Sequence, residues 1–186
     1  MLLGDEINDN HHSHAFHYFH DVSKQFEKAI DENRKYFEAD KAIDLGAGGG
    51  SFSRLLSKYV KKLYCVDVSD EAIEAMKESL AGIENIEILK VKEDSLPFDN
   101  SSIDLVFAAN SFHDLPNNYE KEISRVLKSG GKFVDIDWKR EHTMFGPPLG
   151  IRLSEAEVIT KLELCSLKAI KTLDLSTHYM LVFSKA

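Results

Sequence analysis

From Lys41 onward, short apolar runs alternate with amphipathic stretches, and this rhythm constrains the fold more than any other feature of the chain. Repeated strand–helix units produce such a pattern, and they need crossover connections and a parallel sheet. The runs predict strands at Ala42–Leu45, Leu63–Val68, Ile86–Val91, Ile103–Ala109 and Lys132–Asp137. Helices are expected near Ser51–Lys58, Asp70–Leu80 and Tyr119–Leu127. The third should end in Lys128-Ser129-Gly130-Gly131, a basic last turn followed by glycines suited to a left-handed cap. After a loop holding Gly146-Pro147-Pro148, Ser154 and Glu157 read as a capping box opening another helix. The last two runs, Ala169–Leu175 and Tyr179–Ser184, are separated only by Ser176-Thr177-His178, a link short enough for an antiparallel hairpin. The expected fold class is α/β: a seven-stranded, mostly parallel sheet with helices on both faces and an antiparallel C-terminal hairpin strand.

Residues 1–40 read differently. Phe16, Phe19, Val22, Phe26, Ala29, Ile30, Tyr36 and Phe37 recur at helix-like intervals, as in an N-terminal helical lid or lead-in to a domain over residues 41–186. The 186 residues suit one domain overall. His11, His12, His14, His17 and His20 cluster there; His14, His17 and His20 share a rough helix face. They read as a metal site, a pH-sensitive lid or a solvated face, and no metal ligand set is assigned. Acidic residues outnumber Lys and Arg by 31 to 23, for a net charge of -8, which disfavours general nucleic-acid binding. Two distant cysteines, Cys65 and Cys165, give no disulfide framework and no thiol cluster for arsenic chemistry. With no long apolar run and a polar, His-rich N-terminus, no membrane span or secretory signal is expected, and the reading is cytoplasmic.

The first strand runs into Asp44-Leu45-Gly46-Ala47-Gly48-Gly49-Gly50 and then at once into a helix. A glycine-rich turn at this edge of an open α/β sheet is a nucleotide site. A dinucleotide G-x-G-x-x-G would place its third glycine at position 51, which is Ser51; the spacing here is Gly46, Gly48, Gly50. No Lys-Ser or Lys-Thr follows, so a P-loop is excluded. Asp67 ends the second strand, where a carboxylate accepts ribose hydroxyls.

With Asp44–Gly50, Val66-Asp67, Glu93-Asp94-Ser95-Leu96-Pro97-Phe98, Ile103-Asp104-Leu105-Val106-Phe107 and Ser124–Gly131 in this order, the chain resembles the class I, Rossmann-like, S-adenosylmethionine-dependent methyltransferases, the small type 11-like variety without a cap domain. The resemblance covers roughly Lys41 to Trp138. It implies S-adenosyl-L-methionine as cofactor. Asp44 would help hold the methionine amino end, and Gly46, Gly48 and Gly50 would form the turn around methionine and ribose. Asp67 would take the ribose hydroxyls, with Val68 beside the adenine. Asp94 would accept a hydrogen bond from the adenine amino group, Ser95 would contribute its backbone nearby, and Asn110 would lie close to the sulfonium methyl.

The chain departs from amino-group methyltransferases at Asn110-Ser111-Phe112-His113, where those carry Asn/Asp-Pro-Pro-aromatic. His113 is either a general base or a structural hydrogen-bonding residue. Asp135 and Asp137 alternate onto one face, one or both paired with His or Lys; Asp137 and Trp138 are expected toward the acceptor pocket. In the following loop, Phe145 would form part of an apolar wall and Arg152 would anchor an acid, unless the loop serves packing. The expected activity is in-line methyl transfer to a small-molecule acceptor, by a monomer or homodimer. Competing readings are a protein or RNA methyltransferase working with a partner, and a regulatory module that binds S-adenosylmethionine or S-adenosylhomocysteine without turnover. A nicotinamide oxidoreductase and an N-terminal metal-binding protein complete the alternatives.

Overall fold

The computed structural model describes residues 22–186. The chain divides into two compact units, Met1–Arg34 and Lys35–Ala186. In the first, helix α1 occupies residues 22–32; Lys28 and Glu32 pair one turn apart, and the Asn33 amide donates to the Ala29 carbonyl at 2.8 Å. Phe16, Phe19 and the five N-terminal histidines lie outside the described residues.

The second unit holds strands β1 (Ala39–Leu45), β2 (Val60–Asp67), β3 (Ile86–Lys90), β4 (Ile103–Ala109), β5 (Leu127–Trp138), β6 (Leu167–Leu175) and β7 (His178–Lys185). Between them run α2 (Ser51–Leu56), α3 (Asp70–Ser79), α4 (Tyr119–Val126) and α5 (Glu155–Glu163). The strands form one sheet ordered β3-β2-β1-β4-β5-β7-β6. Pairs from β3 to β5 are parallel, and β7 runs antiparallel to both β5 and β6. This is the Rossmann-like fold of the sequence expectation. Leu175 pairs with His178, so the hairpin link is Ser176-Thr177, one residue shorter than expected; Ser176 takes φ 61°, as primed two-residue turns require.

Central strands carry unbroken apolar runs because helices cover both faces of a parallel sheet. Ala42, Ile43 and Leu45 on β1 and Leu105, Val106, Phe107 and Ala108 on β4 are buried. Phe133 anchors one layer, its ring centroid 5.5 Å from Phe112 and 6.1 Å from Phe183. Amphipathic α4 turns Tyr119, Ile123 and Val126 into this core, and α5 adds Val158 and Leu162. The Ser154–Glu157 capping box forms as expected.

One expectation fails at the end of α4. Lys128–Gly131 is no helix cap; the helix stops at Val126 and the chain enters β5 directly. Ile103 pairs with Leu127 and Leu105 with Lys132, so the four residues Lys128–Gly131 bulge opposite Asp104. Gly130 supplies the left-handed φ of 75° that the bulge requires, and a Cβ on Gly131 would lie 2.8 Å from the Lys128 carbonyl oxygen.

Strand order reverses at β1, which has β2 on one side and β4 on the other. The crevice outside the C-terminal ends of such strands is where open α/β sheets bind ligands.

Candidate active site

At that crevice the chain leaves β1 through a turn tied to β2. The Gly46 and Ala47 N–H groups both donate to the Val66 carbonyl, at 2.9 and 3.1 Å. Gly46 has φ 68°, and a Cβ there would sit 2.7 Å from Cβ of Ser111. The Ser111 hydroxyl crosses back to the Leu45 carbonyl at 2.7 Å, so the turns after β1 and β4 are held against each other. Gly50, with φ 82°, is the residue before α2; Leu80 fills the place of its missing side chain.

Asp67 is braced by backbone donors. Its Oδ2 accepts the Gly48 N–H at 2.9 Å and its Oδ1 accepts the Ser69 N–H at 3.0 Å. Each oxygen keeps a second lone pair for a ligand hydroxyl.

A cavity of about 580 Å³ opens between these turns. Gly46, Asp67, Val68 and Asn110, all expected site residues, line it. Glu93, Ser111, Asp114, Leu115, Pro116 and Tyr119 complete much of the wall and were not singled out by sequence. Three carboxylates, Asp67, Glu93 and Asp114, face this space, and among the described residues no Lys or Arg lines it. Asn110 has φ 54°, and its buried Oδ1 has no hydrogen-bond partner among the described residues. An orphaned buried acceptor in a cavity wall is a group for a ligand or water to satisfy.

Other expected residues stand elsewhere. Asp44 lies beneath the turn, 2% exposed, accepting the Ser53 hydroxyl, and does not line the cavity. Burial pushes its carboxyl up to about 7; the Ser53 hydrogen bond opposes the rise and the Asp67 charge adds to it. Gly48 reaches the site through its N–H on Asp67. Asp94 and Ser95 are exposed and off the cavity wall, because the Lys92–Ser95 bridge turns the chain so that Glu93 lines the space instead.

His113 sits in a one-turn 3-10 helix, Phe112–Asp114, after β4, and lines a smaller cavity of about 150 Å³ with Tyr119, Leu153 and Lys161. Its Nδ1 lies 2.8 and 2.9 Å from the two oxygens of Asp137, which also accepts the His113 and Trp138 N–H groups. One carboxylate thus fastens the turn after β4 to the end of β5. His113 Nε2 lies 3.4 Å from Oδ2 of Asp114, on the rim of the large cavity. Burial works against the imidazolium, but the Asp137 hydrogen bond and charge, with Asp114 adding, leave its pKa raised. Asp135, two residues before Asp137, is fully buried with neither oxygen hydrogen-bonded. Burial, then the Asp137 charge, hold its carboxyl well above the usual range; the neighbouring Tyr179 hydroxyl only partly offsets this and has no hydrogen-bond partner among the described residues.

Trp138, Phe145 and Arg152, expected at the acceptor, line neither cavity. Trp138 packs on His178, ring centroids 4.0 Å apart, and a Cβ on Gly146 would collide with its ring. Arg152 is turned inward, 5% exposed, and donates to the Lys139, Glu141, Phe145 and Pro147 carbonyls and the Thr143 hydroxyl. Its charge organises the loop after β5, and the expected acid anchor is corrected to a loop clamp.

The sequence matches, over residues 43–135, a family described as a methyltransferase domain. The chain belongs to that family. The uncharacterized methyltransferase YcgJ of Bacillus subtilis (strain 168) is 32% identical to this methyltransferase domain over 102 residues, 52% of the chain and 40% of YcgJ. The demethylmenaquinone methyltransferase of Staphylococcus aureus (strain JH9) is 29% identical over 119 residues, 61% of the chain and 49% of that enzyme. The chain therefore spans less than half the length of these curated relatives. A crystal structure of a SAM-dependent methyltransferase from Aquifex aeolicus superposes with a TM-score of 0.78 at 27% identity, covering 86% of this chain and 89% of the other. Among the described residues no group of three or more His, Cys, Asp and Glu is placed to hold a metal ion, and no helix is long and apolar enough to cross a membrane. Cys65 and Cys165 are free.

Proposed function

We propose that this chain is an S-adenosylmethionine-dependent methyltransferase acting on a small-molecule acceptor. The observation that carries the reading is the charge of the large cavity: three carboxylates and, among the described residues, no basic side chain. A dinucleotide would bring a pyrophosphate into that wall, where like charge disfavours it. S-adenosylmethionine brings a sulfonium and an ammonium instead, and when bound it supplies the electrophilic methyl group. Asp67 holds the ribose hydroxyls, with Val68 beside the adenine; Glu93 takes the adenine-side position expected of Asp94. The Asn110 side chain offers its free oxygen near the sulfonium. Asp44 supports the turn from below.

The protein's part in the transfer is orientation, which removes the entropic cost of bringing two reactants into line. His113, fixed through Nδ1 by Asp137, presents Nε2 toward Asp114 on the cavity rim. It takes the proton from an acceptor atom that still carries one. The Staphylococcus relative is named for demethylmenaquinone, which supports a small organic acceptor.

Calorimetric titration with S-adenosylmethionine and, separately, with NAD tests the reading. The first binds and the second does not, and Asp67→Ala weakens the first by at least tenfold. Folded protein that binds neither S-adenosylmethionine nor S-adenosylhomocysteine overturns it.

A further inference from the structure

Helix α4 carries a stripe of residues that leads away from the cavity. Tyr119, in its first turn, lines the cavity; Glu122 and Arg125 follow at three-residue steps and so stay on one side of the helix. The Glu122 carboxylate accepts the Leu96 N–H at 2.8 Å and pairs with the Arg125 guanidinium through Nε. The same guanidinium donates through Nη1 to the Phe98 carbonyl at 2.7 Å and to Oδ1 of Asn100 at 2.8 Å, and through Nη2 to the Leu96 carbonyl at 3.0 Å. The helix backbone closes the loop's far end, where Ser101 N–H donates to the Arg125 carbonyl and Ser102 N–H to that of Val126. These contacts fasten residues 96–102, directly after the turn that puts Glu93 in the cavity wall.

We propose that Arg125, oriented by Glu122, is a positioning residue for the cofactor: it sets the loop after β3, and with it the wall that Glu93 supplies, before any ligand arrives. This rests on the S-adenosylmethionine reading above. A loop that must be ordered during binding subtracts its conformational entropy from the affinity, and a clamp applied beforehand removes that cost. The planar fork of Arg reaches two carbonyls and an amide oxygen together; a lysine's point charge does not.

The test compares wild type, Arg125→Gln and Arg125→Lys in calorimetric titrations with S-adenosylmethionine and with 5′-methylthioadenosine, which lacks the amino-acid half. Arg140→Gln, which breaks a distant surface pair with Glu157, is the control. Both Arg125 variants are expected to lose about tenfold or more in affinity for both ligands, on the scale of hydrogen bonds to a charged group, while Arg140→Gln loses none. Ligand-free amide exchange should quicken at residues 93–100 and stay unchanged in the α4 core, which a general loss of stability would not do. Should Arg125→Gln fail to fold, Arg125→Lys and Glu122→Gln carry the test. Folded Arg125 variants with wild-type affinity overturn the proposal. Wild-type protein that binds neither ligand overturns the cofactor reading, and this inference with it.

Discussion

Asp44 stands two residues before the glycine turn, yet its carboxyl is enclosed in the sheet, with the Ser53 hydroxyl as donor. Its pKa near 7 in the folded chain, against 3.8 when exposed, means that folding favours its neutral form. The stability this confers is fully present below about pH 4 and lost as pH rises through about 7. Between pH 5 and pH 8 that amounts to about 2–3 kcal/mol. Asp44→Asn is expected to remove that share of the wild-type decline in urea-unfolding free energy; parallel declines in the two proteins would refute it. Asp135 contributes in the same direction in both. For His113 the raised pKa gives stability that is present below 6.5 and lost as pH climbs through the raised value. Asp137→Asn removes the charge, and with it the charge assistance of the hydrogen bond, but leaves the burial, so His113 should titrate at lower pH by NMR than in wild type. An unchanged titration would show that Asp137 does not set the proton affinity of the ring. Acid and base residues were visible in the sequence, but which of them lose water was not: Asp44 and Asp67 read alike as acids near strand ends, and only the fold hides one and opens the other.

The loop after β5 looked like a substrate wall because it holds Met144, Phe145 and two prolines at the ligand-binding edge. Arg152 shows what organises it, since five loop acceptors converge on one buried guanidinium lying 5.1 Å above the Trp138 ring. Arg152→Ala leaves those carbonyls without their donor. Limited proteolysis should cut residues 139–150 about ten times faster than in wild type, with S-adenosylmethionine affinity unchanged because no residue of this loop lines the large cavity. A matching loss of affinity would instead assign the loop to the cofactor. Strand positions were legible because apolar runs fix them, and β4 spans Ile103–Ala109 as read from sequence. The Lys128–Gly131 segment was not, since a glycine with positive φ serves a helix cap and a strand bulge equally. What separates the two is whether Leu127 finds a partner, and Ile103, 24 residues earlier, provides it.

Across the domain, the ordered motifs from Asp44 to Gly131 made the α/β architecture and the cofactor crevice readable, because both follow from local glycine chemistry and strand order. The second half of the cavity wall was hidden. Asp114, Leu115, Pro116 and Tyr119 belong to a short turn and a helix start with no motif of their own, and they reach the cavity only because the Asp137 carboxylate, on a strand formed later in the sequence, fastens the turn between them and Asn110. The sheet order has a further consequence, for biosynthesis. The strand that joins β5 to β6 follows both of them in the chain, so a ribosome delivers two neighbours before the piece that fits between them. Until His178–Lys185 emerges, the backbone edge of β5 around Phe133, Val134 and Ile136 lacks its partner, and an unpaired edge of that kind is a template for another chain.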